Sequence, residues 1–210
     1  MKKFLVAIDQ GTSSTRAILF DTKGNIKFIS QFEFKQYFPK NGWVEHNPDE
    51  IWKTTVKSLK KVIKKTKQLK GKILSIGITN QRETTILWNK KNGKPVYNAI
   101  VWQDRRTQQY CQNLKKNNYE NILRKKTGLF IDPYFSATKI RWILDNVKNS
   151  KKLLKSNNLL FGTIDTFLIW KLTNGLKHLT EATNASRTML FNINTNQWDK
   201  NILKKLKIPY

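Results

Sequence analysis

An apolar run near the amino terminus ends in Asp9 and continues as Gln10-Gly11-Thr12-Ser13-Ser14-Thr15-Arg16. A carboxylate at a strand end, a glycine, four hydroxyls and an arginine suit a polyphosphate. Turn N–H groups can form an anion-binding nest, glycine lets the backbone come close, and hydroxyls donate to phosphate oxygens. Asp9 could hold magnesium through water, because that ion keeps much of its hydration. Arg16 could neutralise charge that develops on a transferred group. The same residue types also make an ordinary hairpin turn. The run is neither a Walker A loop nor a Gly-x-Gly-x-x-Gly fingerprint.

A second polar stretch, Thr79-Asn80-Gln81-Arg82-Glu83-Thr84-Thr85, lies between two apolar segments. Arg82 offers a rigid fork of donors and Glu83 offers only acceptors. Together they can satisfy vicinal hydroxyls, each of which donates and accepts, and so clamp a polyol. The competing reading is a solvated loop whose surface ion pair contributes little. In Asp132-Pro133-Tyr134-Phe135-Ser136, Tyr134 presents a phenol just before a helix, or serves as a packed aromatic with a satisfied hydroxyl. Trp142 reads as packing. His46 and His178 lack partners at metal-ligand spacing. No Gly-x-Ser-x-Gly or Cys-His pairing points to a hydrolase.

The elements that must position these residues follow from periodicity. Phe4 to Ile8, Ala17 to Phe20 and Asn25 to Phe34 read as strands joined by short connectors, hence an antiparallel meander. Asn47 is placed to cap a helix that opens on Pro48-Asp49-Glu50 and runs to about Lys67, with Ile51, Thr55, Leu59, Val62 and Ile63 at helical spacing. Ile73 to Thr79, Thr84 to Trp88 and Ala99 to Trp102 read as further strands. Arg105 to Lys116, Phe135 to Asn146 and Ile164 to Leu172 read as helices. Strands followed by alternating helices predict an α/β fold, a mixed sheet flanked by helices, with no repeat and no internal domain boundary.

Bulk properties narrow the classes. A length of 210 residues suits one domain or slightly more, and 39% hydrophobic residues with seven Trp argue for a globular chain. The net charge of +26 attracts polyanions. The excess, however, is mostly scattered Lys, with only seven Arg, which favours a solvated surface over a specific nucleic-acid site. The single cysteine, Cys111, permits no intrachain disulfide and fits a reducing compartment. The initial apolar run is too short for a signal peptide, and no run reaches membrane-spanning length. The expected location is the cytoplasm.

Taken in order, these segments resemble the FGGY family of carbohydrate kinases. Asp9 to Arg16 is similar to the family's first phosphate loop. Gly42-Trp43-Val44-Glu45-His46-Asn47-Pro48, Gly77 to Thr85 and Trp102-Gln103-Asp104-Arg105-Arg106-Thr107 are similar to the branch acting on glycerol. Tyr134 to Asn146, with Lys139 and Trp142, resembles the family's first signature. Phe161-Gly162-Thr163 to Trp170 and Thr183-Asn184-Ala185-Ser186-Arg187-Thr188 continue the likeness. The resemblance implies an actin-like, ribonuclease H-like ATPase domain over residues 1–210. It implies transfer of the ATP γ-phosphoryl group to a terminal hydroxyl of glycerol. Thr12, Ser13, Ser14 and Arg16 would contact ATP or ADP phosphates, with Asp9 near Mg and Asp9 and Arg16 as the catalytic pair. Arg82, Glu83 and Tyr134 would hold glycerol hydroxyls and Trp102 would line its carbon face. No specific nucleic acid and no membrane is expected as a partner; the family is oligomeric. The family continues beyond Tyr210 into a Gly-Asp-Gln segment, whose Asp is the expected general base, and into a second domain. The chain is therefore expected to be an incomplete N-terminal domain, doubtful in activity alone. The alternatives are a non-catalytic remnant or binding module, or a basic nucleic-acid-binding protein.

Overall fold

A computed structural model describes all of residues 1–210. The chain divides into two compact units, Met1–Gln36 with His46–Gln81, and Tyr37–Glu45 with Arg82–Tyr210. No composition shift marks the division. Two of its three crossings run through the short strands Gln36–Tyr37 and Glu45–His46 and not through flexible linkers.

The first unit is a four-stranded sheet with one long helix. Strands β1 (Lys2–Gln10), β2 (Ser14–Asp21) and β3 (Ile26–Glu33) form the expected antiparallel meander. The strand Gly71–Asn80 lies parallel to β1, giving the order β3-β2-β1-(Gly71–Asn80). A parallel neighbour needs a crossover, and helix α1 (Pro48–Gln68) lies in that connection. Phe4, Val6 and Ile8 of β1 are buried at every second position, as are Ala17 and Leu19 of β2. Ile51, Leu59 and Val62 of α1 are buried at helical spacing. The Asn47 side chain accepts from the Asp49 amide at 2.8 Å, with Pro48 in the first turn. Gly71 has no room for a side chain: a Cβ there would lie 2.2 Å from the Phe4 ring.

The second unit pairs Ile86–Asn89 antiparallel with Leu159–Gly162. Around this ribbon lie α2 (Gln108–Lys116), α3 (Glu120–Thr127), α4 (Ser136–Asn146), α5 (Lys148–Lys155), α6 (Ile164–Leu172), α7 (Ala182–Ala185) and α8 (Lys200–Lys205). The core includes Leu87, Ile100, Leu123, Ile131, Ile140, Ile143, Met189 and Leu206. In this unit three expected boundaries shift by two residues or more. The strand expected from Thr84 begins at Ile86, because the Thr84 amide closes a turn on the Arg82 carbonyl at 2.7 Å. The strand expected over Ala99 to Trp102 covers only Ala99–Ile100. The helix expected from Arg105 begins at Gln108, because Asp104 accepts from the Arg106 amide at 2.9 Å and holds a turn there. No helix is long and apolar enough to cross a membrane.

Arg106 organises one end of this unit. Its side chain is fully buried and bridges Glu45 at 2.7 Å and Asp104 at 2.8 Å. The guanidinium lies 3.8 Å from the Trp43 ring centre and 4.6 Å from that of Trp142. Glu45 also accepts from the Tyr97 hydroxyl at 2.7 Å and from Asn98 at 2.9 Å. Asp104 also accepts from the Val44 amide at 2.7 Å. The Tyr37–Glu45 segment is thus held to its unit through charge. Replacing Arg106 with Ala leaves two buried carboxylates without their cation and is expected to cost about 3–5 kcal/mol in urea unfolding. Arg106→Lys, which keeps the charge but loses the planar fork, is expected to recover only part of that.

Candidate functional site

The Asp9–Arg16 loop sits at the tip of the meander in the first unit. Asp9 and Arg16 are directly opposite in the β1–β2 register, and their side chains form an ion pair. Between them the Gly11 amide donates to the Ser14 carbonyl at 2.9 Å, and the Ser13 carbonyl accepts from the Phe34 amide at 3.2 Å. The Ser14 hydroxyl accepts from Gln31 at 3.1 Å. Thr15 is not part of the reachable set. It is buried, its hydroxyl is 3.0 Å from that of Thr54, and its carbonyl accepts from Ser58. Three hydroxyls therefore line the turn, not four.

Buried amides brace this loop from beneath. The Gln81 side-chain nitrogen donates to the Gln10 side-chain amide oxygen at 3.1 Å and the Gly11 backbone carbonyl at 3.1 Å, and lies 3.2 Å from His46 Nδ1. Burial pushes His46 down to about 4, so the ring is neutral near pH 7. Its ring meets Phe34 edge-on with centres 5.0 Å apart. His46 is therefore a prop for the loop. No group of three or more Asp, Glu, His or Cys is placed so that it could hold a metal ion. A magnesium ion at this loop would thus have Asp9 as its one carboxylate partner, reached through the water that the ion retains.

The polyol candidates lie in the second unit. Arg82 is exposed, whereas Glu83 is buried at 2% exposure. Glu83 has φ of +62°, the left-handed region that a side chain of its size rarely adopts. Together with the Thr84-to-Arg82 hydrogen bond this is the strained form of γ-turn. Strain of this kind persists where the surroundings over-determine it. Here the Glu83 carbonyl accepts from the Ser136 hydroxyl at 3.0 Å and the Thr85 hydroxyl at 3.1 Å. Trp102 and Tyr134 stack at a tilt, ring centres 5.5 Å apart, and the Trp102 amide donates to the Thr84 hydroxyl at 3.3 Å. Asp132 accepts from the Tyr134 amide at 2.8 Å.

Arg187 was visible only as part of a resembling motif, with no role attached. Its Nε donates to the Glu83 carboxylate at 2.6 Å, and its guanidinium packs 4.9 Å from the centre of the Phe135 ring. The two residues are separated by 104 positions, so nothing local could have paired them. The Glu181 side chain caps α7 by accepting from the Thr183 and Asn184 amides, and Arg187 sits on the 3-10 turn that follows.

Comparison with known proteins places these features in a family. Residues 4–210 match the N-terminal domain of the FGGY family of carbohydrate kinases. The chain is 54% identical over 209 residues to a glycerol kinase of Petrotoga mobilis, covering 100% of this chain and 42% of that protein. It is 56% identical over 208 residues to a glycerol kinase of Escherichia coli O8, covering 99% of this chain and 41% of that protein. The crystal structure of Plasmodium falciparum glycerol kinase with ADP superposes with a TM-score of 0.93 at 39% identity, over 98% of this chain and 41% of the other. The chain thus spans about two fifths of the length of these relatives. A gluconate kinase from Lactobacillus acidophilus also superposes, with a TM-score of 0.86 at 25% identity, over 100% of this chain and 40% of the other. The fold is actin-like, of the ribonuclease H-like type.

Removing Arg187 should expose the cost of burying Glu83. Arg187→Ala is expected to lower unfolding stability by about 1–3 kcal/mol, because it strands a buried acceptor. In a double-mutant cycle with Glu83→Gln the double variant should lose less than the sum of the two single losses.

Proposed function

The chain belongs to the FGGY family of carbohydrate kinases, and from that premise we propose that it carries the phosphate loop and polyol-holding residues of a glycerol kinase. The reaction is ATP-dependent phosphorylation of glycerol to sn-glycerol 3-phosphate. The observation that carries this reading is the Glu83 turn: a buried carboxylate held in a strained conformation, neutralised by Arg187, in the same short segment as the exposed Arg82 fork.

Glycerol presents three hydroxyls that each donate and accept, on a small apolar backbone. In our proposal the Glu83 carboxylate accepts from two of them, since it has capacity for several donors beyond Arg187. Arg82 donates to their oxygens. Tyr134 supplies a further hydroxyl contact, and the Trp102 ring covers the carbon face. Pairing with Arg187 keeps the carboxylate from drawing in a free cation, so the site suits a neutral polyol.

In the first unit, Thr12, Ser13 and Ser14 would donate to nucleotide phosphate oxygens. Asp9 and Arg16 satisfy each other in the structure. With magnesium and ATP bound, Asp9 would hold metal-bound water and Arg16 would turn to the phosphates, exchanging one ion pair for two charge contacts. Magnesium there would supply charge neutralisation between phosphate oxygens. The residues identified bind and orient, which is most of what phosphoryl transfer asks of a protein. The single cysteine fits a cytoplasmic location: Cys111 is buried and its thiol is pushed up to about 11.

Calorimetric titration of the purified chain with glycerol tests the polyol half. Glu83→Gln and Arg82→Ala are each expected to weaken binding about 10–100-fold, as losing a hydrogen bond to a charged group does. Binding unchanged in both variants would overturn the reading. For the nucleotide half, Arg16→Ala is expected to weaken magnesium–ADP binding while leaving glycerol affinity unchanged.

A further inference from the structure

Lys139 is fully buried on α4 and forms no ion pair. This is an expensive arrangement. An ammonium group taken out of water without a carboxylate partner is costly, and Met or Leu of similar volume would fill the space at less cost. Its position makes matters worse, because it is the fourth residue of its helix, where the helix dipole disfavours a cation. Packing alone therefore does not account for a lysine here.

The contacts it makes do. A lysine ammonium has three donors and no acceptor. One proton goes to the Tyr134 carbonyl, and another is directed at the Glu83 carbonyl 3.5 Å away. These two carbonyls belong to two of the proposed glycerol-holding residues, whose side chains Arg187 also links, by a hydrogen bond to Glu83 and by lying over the Tyr134 ring, while Ser136 holds the Glu83 carbonyl. We infer that Lys139 is a positioning residue of the polyol site, its ammonium group tying the strained Glu83 turn to the Tyr134 backbone and fixing the spacing of the two. The inference rests on the proposed function for the identity of the ligand, but the tie itself is a property of the ligand-free chain.

The tie is protonation-dependent. Burial pushes Lys139 down to about 7, against the opposing pull of Asp104, Glu83, Asp132 and Cys111, the ionisable groups that face it. Two opposite trends follow. The folded form holds this proton less tightly than the unfolded chain, so folding stability gains from this group as pH rises from about 7 toward its ordinary 10.5. Over the same rise the ammonium loses its charge and the site loosens, so polyol affinity falls. A lysine that served only as filler would produce the first trend without the second.

The experiment uses the whole chain, with Lys139→Met and Lys139→Arg. Hydrogen exchange is followed at the Arg82–Thr85 and Asp132–Phe135 segments, and glycerol affinity is measured by calorimetry. In Lys139→Met, exchange at both segments is expected to quicken about tenfold or more while the Gly71–Asn80 strand is unchanged. Glycerol affinity should drop about 10–100-fold, the scale of a small misplacement of a binding group. Lys139→Arg should restore part of the protection and remove the pH dependence, since its charge does not titrate. Wild-type affinity should fall between about pH 6 and about pH 9, a series that needs no variant to fold. Unchanged exchange at both segments in Lys139→Met, or a flat wild-type affinity profile, overturns the inference. If the wild-type chain binds no glycerol, the polyol reading fails and the exchange data alone decide the tie. If Glu83→Gln abolishes binding while both Lys139 variants bind like wild type, only the inference fails.

Discussion

A carboxylate taken out of water must find donors, and much of the second unit is arranged around one such acid, Glu83. Its side chain takes a charged donor from Arg187, and its carbonyl takes hydroxyl protons from Ser136 and Thr85. These contacts come from α4, from the turn after α7 and from the loop itself. Each would be an ordinary interaction elsewhere. Together they hold a backbone conformation that the chain would leave if released. The result is a charged acceptor whose direction is set before any ligand arrives, which is what preorganised binding requires.

The first unit solves a related problem by different means. Its loop carries a carboxylate and a guanidinium on facing strand residues, so the two neutralise each other across β1 and β2. Both stay solvent-accessible, and neither is committed to a packed surround. The rigid part lies below, where Gln10, Gln81 and neutral His46 hold the Gly11 carbonyl in place. One unit thus fixes its charged group and the other keeps its charged pair exchangeable.

What the sequence disclosed and what it concealed divide along range of interaction. The meander and its turns were legible because short connectors leave strands no other pairing. The start of α1 was legible because Asn47, Pro48, Asp49 and Glu50 carry the capping signal within one turn. Helices α3, α5 and α8 were missed, for each buries only one or two residues amid lysines and asparagines, too few for a periodic signal. Arg82, Glu83 and Tyr134 stood out as candidates by residue type and Trp102 through family likeness, and the structure brings Trp102 and Tyr134 into ring contact. That Glu83 is buried while its neighbour Arg82 is exposed could not be read, because burial depends on α4 and Arg187. Thr15 looked like a fourth loop hydroxyl and instead faces α1, a consequence of strand alternation that composition does not reveal.

The excursion Tyr37–Glu45 bears on the order in which the chain assembles. Ribosomal synthesis delivers this segment before the second half of the first unit and well before its own partners, since Arg106 lies 61 positions beyond Glu45. Neither unit is a continuous stretch that folds as soon as it emerges. The first closes only when Gly71–Asn80 pairs beside β1, and by then it has already pinned both ends of a loop whose acid has no cation. Closing that loop onto Asp104 and Arg106 carries the entropy of a long-range contact. Until Arg106 has been synthesised Glu45 has no buried cation to meet, so docking of the segment cannot precede the arrival of Asp104 and Arg106.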